Sequence, residues 1–152
     1  MNIGRWMVFG GIVCALAMLS GTAAYAVSPC SLLTPAEAAA ALGVAEVSTG
    51  SPTATKLCEW TPKKYAPGPS KDLTVTLESA AGFAAAHQPL GREVTAVSGI
   101  GDEAVQTTTQ GTRTVLTVKK GDVYFAVRVS GLPVDQAKAA EQALAMKIIS
   151  KL

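Results

Sequence analysis

The chain reads as an α+β protein: a single antiparallel sheet of five or six strands, with an N-terminal and a C-terminal helix packed on one face. Three stretches carry this reading. Arg113 to Val129 places two runs of β-branched and aromatic residues on either side of Lys120-Gly121-Asp122, where glycine can take the positive φ of a tight hairpin turn. Leu73 to Glu78 alternates apolar and polar residues with period two, the pattern of a strand with one face in the core and one in water. Val134, Ala137, Ala140, Leu144 and Ile148 recur at helical spacing, with Pro133 suited to a first turn and Asp135 and Lys147 placed to complement the helix dipole.

Taken in order, residues 1–26 have the form of an export signal. Arg5 supplies the charge, Trp6 to Leu19 an apolar run short for a bilayer span, and Ala24-Tyr25-Ala26 a small-x-small cleavage site. The mature chain is then expected to begin near Val27 as a single domain of residues 27–152, exported to the periplasm or secreted, with no membrane span; an uncleaved N-terminal anchor is the alternative. A lipid anchor on Cys14 fits less well, because Gly11-Ile12-Val13 lacks the small residue expected just before a lipidated cysteine.

Of three cysteines, Cys30 and Cys58 remain after the signal. In an oxidising compartment they are expected to pair, stabilising the fold by roughly 3 to 4 kcal/mol on the chain-entropy estimate. A redox pair or half a metal site are the rival readings. The spacing is far from Cys-x-x-Cys, and no histidine lies near either residue.

Thr34 as N-cap, Pro35 at the first helical position and Glu37 completing a capping box predict a helix that stops at Gly43. Val44 to Val47 reads as a short strand, Ser48 to Thr53 as turn chemistry, and Leu57 to Thr61 as a strand with Cys58 and Trp60 on one face. Pro62 to Lys71 is the longest loop. Ala80 to His87 reads as a short helix with Phe83 inward, ended by Pro89; Arg92 to Val97 as a short strand or an irregular connection; Ala104 to Thr107 as a strand. This order also fits two copies of a helix-plus-three-strands unit, although identity between the halves is too slight to establish duplication.

The chemistry is sparse. A net charge of +2 with intermixed signs argues against nucleic acid. No zinc spacing, phosphate loop, EF-hand or nucleophile elbow occurs, so no metal and no cofactor is expected. The only histidine, His87, could be combined with Ser79 or Ser98 and Asp102, but neither serine has the context of an activated nucleophile. Gly99-Ile100-Gly101-Asp102-Glu103 could wrap an anion with Gly99 and Gly101 N–H groups or offer Asp102 and Glu103 to a cation; a tight turn with solvated carboxylates is the plainer reading. If Val123, Phe125, Val127 and Val129 face the core, Tyr124 and Arg128 lie opposite, with Arg113 and Lys119 across the pair, as a candidate interaction surface.

Ser28-Pro29-Cys30-Ser31-Leu32-Leu33-Thr34-Pro35-Ala36-Glu37, Ala41-Leu42-Gly43, Cys58-Glu59-Trp60, Leu73 to Leu77, Gly99 to Ala104 and the Lys-Gly-Asp hairpin together resemble an actinobacterial-type family of small exported proteins and lipoproteins of unknown function. The resemblance spans most of the chain after residue 26 and implies an envelope-associated domain with a Cys30–Cys58 bridge and no defined reaction. Many members of that family carry a lipobox cysteine, whereas a soluble cleaved form is expected here. The function expected is a noncatalytic binding or interaction module of the cell envelope, whose partner is an envelope protein or a small ligand; a small periplasmic hydrolase, or an inhibitor of one, is the alternative.

Overall fold

The computed structural model describes residues 27–54, 56–64 and 67–152. The export-signal expectation for residues 1–26 therefore lies outside the described residues. Among those described, no helix is long and apolar enough to cross a membrane.

The class is α+β, with an antiparallel sheet that has seven strands among the described residues rather than five or six. The strands are β1 (Ser51–Ala54), β2 (Leu57–Trp60), β3 (Asp72–Ser79), β4 (Arg92–Ala96), β5 (Glu103–Thr109), β6 (Arg113–Lys120) and β7 (Val123–Ser130). Their spatial order is β1-β2-β3-β7-β6-β5-β4. The additional strand is β1, which falls where Pro52 and its polar neighbours read as a turn. It lies at the edge of the sheet and its register shifts between Pro52 and Ala54, a setting that tolerates a residue with no N–H to donate. The strand expected at Val44 to Val47 is reduced to one bridge, Val47 to Pro62.

The hairpin forms as its residues dictate. β6 and β7 pair from Lys120↔Val123 to Leu116↔Val127 around Gly121-Asp122. β7, the last strand made, is inserted between β3 and β6, so both of its edges are paired. Its alternation directs Val123, Phe125, Val127 and Val129 into the main core, together with Leu73 and Val75 of β3 and Leu116 and Val118 of β6.

Two helices cover that face. Helix α1 (Pro35–Leu42) has Thr34 and Glu37 in a reciprocal capping box and ends at Gly43 with φ 61°. Its carbonyl at Leu42 also accepts a 2.9 Å bond from Lys71 Nζ, so a lysine of the long loop completes the C-terminal cap. Helix α3 (Val134–Ile149) lies over β6 and β7 and against α1, burying Ala137, Leu144, Ala145 and Ile148. Glu37 joins the helices: its carboxylate accepts from Thr34 N–H at 2.9 Å and meets Lys147 and Lys151 at 3.4 and 3.2 Å, while Lys151 also donates to Leu32 O.

The opposite face has its own cover. After β3 the chain makes a 3₁₀ turn (Ala80–Gly82) and the single-turn helix α2 (Phe83–Ala86), which contact β7 and β6 before the chain reaches β4 at the far edge. Phe83 is buried against Tyr124, edge to face at 6.2 Å between ring centroids, and both lie outside the main core cluster.

Cys30 and Cys58 form the disulfide, their Cα atoms 5.1 Å apart across 28 positions of sequence. Cys58 and Trp60 are fully buried on one face of β2, so the bridge and the indole share the core. Substituting both cysteines by serine is expected to lower stability by roughly 3 to 4 kcal/mol, measured as a shift in the urea midpoint followed through Trp60 fluorescence.

The capping hydrogen bond from Thr34 N–H, aided by Lys151, holds the Glu37 carboxyl at about 2 against an ordinary 4.5. A lowered folded value means that Glu37 contributes stability above the unfolded carboxylate range and loses it as pH falls through the window from 4.5 to about 2. Glu37→Gln is therefore expected to flatten the acid limb of a stability-against-pH curve in that window, read from thermal midpoints between pH 2 and 5.

Candidate functional site

The hairpin ladder stops before its strands do. The last β6–β7 pair is Leu116↔Val127, although β6 begins at Arg113 and β7 continues to Ser130. Two residues further along, Val129 would face Thr114 if pairing persisted. Instead, the fully buried side chain of Glu141 on α3 enters the gap. Its Oε1 accepts from Val129 N–H at 3.1 Å and from Thr114 Oγ1 at 2.8 Å, and its Oε2 accepts from Gln106 Nε2 at 2.7 Å. A carboxylate thus stands in for the missing rung and ties α3 to β5, β6 and β7 at once. Burial raises its pKa above the ordinary carboxylate value, opposed by those three donors.

Outside this joint the splayed strands leave a polar cleft of about 300 Å³, lined by Asp72, Thr112, Arg113, Arg128 and Ser130. Asp72 Oδ2 accepts from Arg128 Nη2 and from Ser130 Oγ, each at 3.2 Å. Arg128 Nε is buried without a partner among the described residues. Arg113 is exposed and has no ion-pair partner among them. The arrangement therefore offers one uncommitted guanidinium, a second that is shared with Asp72, and the Thr112 hydroxyl, a donor set suited to an anionic group.

The four residues expected to share an interaction surface separate into two pairs. Arg113 and Arg128 meet at the cleft. Lys119 and Tyr124 face one another nearer the other end of the hairpin, where Lys119 pairs with Glu103 at 3.2 Å and Tyr124, only 8% exposed, lies under Phe83 and Gly82. Burial, reinforced by Glu78, raises the Tyr124 pKa.

The glycine-rich turn is docked rather than open. A Cβ at Gly101, where φ is +62°, would lie 2.6 Å from Lys119 O and from Val118 Cγ1, so glycine permits the turn to press against β6. Asp102 N–H donates to Lys119 O, and its carboxylate accepts from Gly121 N–H at 2.7 Å and pairs with Lys120 at 3.1 Å. The Gly121 hydrogen bond, then Lys120, lowers the Asp102 pKa. Asp102 and Glu103 are thus occupied in fastening the turn to the hairpin, and a Cβ at Gly99, where φ is +81°, would meet nothing within 4 Å. His87 packs on Phe83 at 4.6 Å. No cluster of three metal-ligating side chains occurs among the described residues.

Glu141 was hidden on the C-terminal helix by the apolar pattern around it. It stands four residues after Ala137 and three before Leu144, on the stripe that enters the core. A carboxylate on a buried stripe is the signal that points to it.

Comparison with protein-family models, with curated proteins and with solved structures finds no match to this chain.

Glu141→Ala is expected to lower stability by about 3 kcal/mol, because a backbone N–H, a hydroxyl and an amide lose their acceptor in the interior. Glu141→Gln keeps the shape and is expected to do less harm. Because the folded pKa is raised, the unfolded chain releases its proton first as pH rises above the ordinary carboxylate value, and the native state loses stability through that window. The Gln variant lacks this loss, so its stability relative to the parent should improve from pH 4.5 upward; denaturant midpoints at several pH values check the sign.

Proposed function

We propose that the protein is an exported, noncatalytic binding module of the cell envelope, and that the cleft at the splayed end of the β6–β7 hairpin takes the anionic group of its ligand. The observation that carries this reading is the juxtaposition of Arg113, uncommitted to any carboxylate among the described residues, with Arg128 in one polar cleft. Guanidinium forks recognise carboxylates and phosphates through paired hydrogen bonds, and the Thr112 hydroxyl adds a donor of adjustable direction, while the Ser130 hydroxyl is committed to Asp72. The Cys30–Cys58 disulfide supports an oxidising compartment. It also supports placing the chain with the exported family that its Pro29-Cys30 and Cys58-Glu59-Trp60 segments resemble.

A noncatalytic role is favoured by how the reactive groups are spent. The Asp102 carboxylate holds a backbone N–H and a lysine, His87 packs on an aromatic ring, and the Glu141 carboxylate is sealed between helix and sheet.

An amide-resolved NMR titration with inorganic phosphate and with a short peptide bearing a free C-terminal carboxylate tests the proposal. Shifts should concentrate at residues 112–114 and 128–132, the amidated peptide should produce none, and Arg113→Ala should weaken binding by about tenfold, or 1.4 kcal/mol. Absence of shifts in the cleft with either probe, or binding indifferent to Arg113→Ala, would refute it.

A further inference from the structure

The two ends of the sheet are finished differently. At one end β1 is short, interrupted by a register shift and occupied by Pro52, devices that discourage another strand from adding on. At the other end β4 pairs with β5 without interruption from Arg92↔Thr109 to Ala96↔Val105 and contains no proline. Glu93, Val94, Thr95 and Ala96 are all exposed, and Leu90, in the turn leading into the strand, is 79% exposed.

The backbone directions along β4 follow from one bond. Val97 N–H donates to Ala104 O at 2.9 Å, so the alternate residues Thr95 and Glu93 also direct their backbone groups toward β5. Those of Val94 and Ala96 then point away from the sheet. The Arg92 N–H is turned back to Pro89 O.

We infer that β4 is a self-pairing edge, through which two copies of this chain join antiparallel into one continuous sheet about a two-fold axis at Val94. The charges of β4 are compatible with a second copy of the same strand, and they select the register. Centring the pair on Glu93 would set two like charges directly opposite, and centring it on Thr95 would use little more than half the strand. Centring on Val94 sets every residue of β4 opposite one of its copy, placing Arg92 opposite Ala96, Glu93 opposite Thr95 and valine opposite valine, with no like charges opposed. The Val94 N–H and C=O then bond across the interface, and the Ala96 N–H reaches the facing Arg92 C=O, while the Arg92 N–H keeps its bond to Pro89 O.

Because the Val94 N–H serves only the outer edge, Val94→Pro deletes an intermolecular donor while leaving the β4–β5 ladder intact. Sedimentation equilibrium of the purified protein should show a concentration-dependent monomer–dimer equilibrium, and Val94→Pro should weaken it by about tenfold or more with an unchanged circular dichroism spectrum. Val94→Glu keeps every backbone donor and sets two carboxylates side by side on the axis; it should weaken the dimer in a salt-dependent way, and it decides the matter if the proline variant does not fold. A parent protein that stays monomeric up to about 0.5 mM would overturn the inference, as would a dimer that survives both substitutions.

Discussion

The carboxylate of Glu141 is the joint on which this fold turns. Removing an ion of that size from water costs several kcal/mol even after the protein relaxes. Hydrogen bonds to a charged group return about 1.5 to 3 kcal/mol each, and Glu141 accepts from Thr114, Val129 and Gln106. The opposing terms are of similar size, so the joint contributes little net stability. Its larger effect is on uniqueness: sliding α3 by a turn, or β7 by a residue, would strand the carboxylate away from its donors in an apolar interior. One helix and three strands are held in a single relative arrangement by one side chain.

The parts of the fold that were legible in the sequence are those encoded over a few residues. Thr34, Pro35, Glu37 and Gly43 specify both ends of α1, and the alternation of β3 and β7 identifies the strands and the residues that enter the core. What was not legible depends on partners far along the chain. The end of the β6–β7 ladder is decided by an acid on the last helix, so the cleft beside Arg113 and Arg128 has no local signature. Tyr124 belongs to a sheet face that alternation alone describes as open; the crossover carrying Phe83 covers it. β1 was masked by the residues that make it a safe edge, since Pro52 is equally at home in a turn.

The topology has a regularity that residue identities do not reveal. The meanders β1–β3 and β4–β6 flank β7, and each is preceded by a helix. β3 and β6 are both antiparallel to β7 and hence parallel to each other. A two-fold axis running along β7 would exchange the meanders and swap the faces of the sheet, and α1 and α2 do lie on opposite faces. β7 is then the element shared by the halves, which accounts for the concentration of joints along it: Glu141 at one end, the docked glycine turn and its Asp102 at the other.

That central position bears on the order in which the chain can acquire its structure. β3 emerges about fifty residues before its neighbour β7, so the first meander must wait with an unpaired inner edge, a state open to mispairing. Long-range pairing of this kind is slow compared with helix or hairpin formation. The disulfide spans only the first meander and its helix, joining residues already made when β3 appears. It can therefore close early and hold the N-terminal half compact through the interval before the last strand slots into the middle of the sheet.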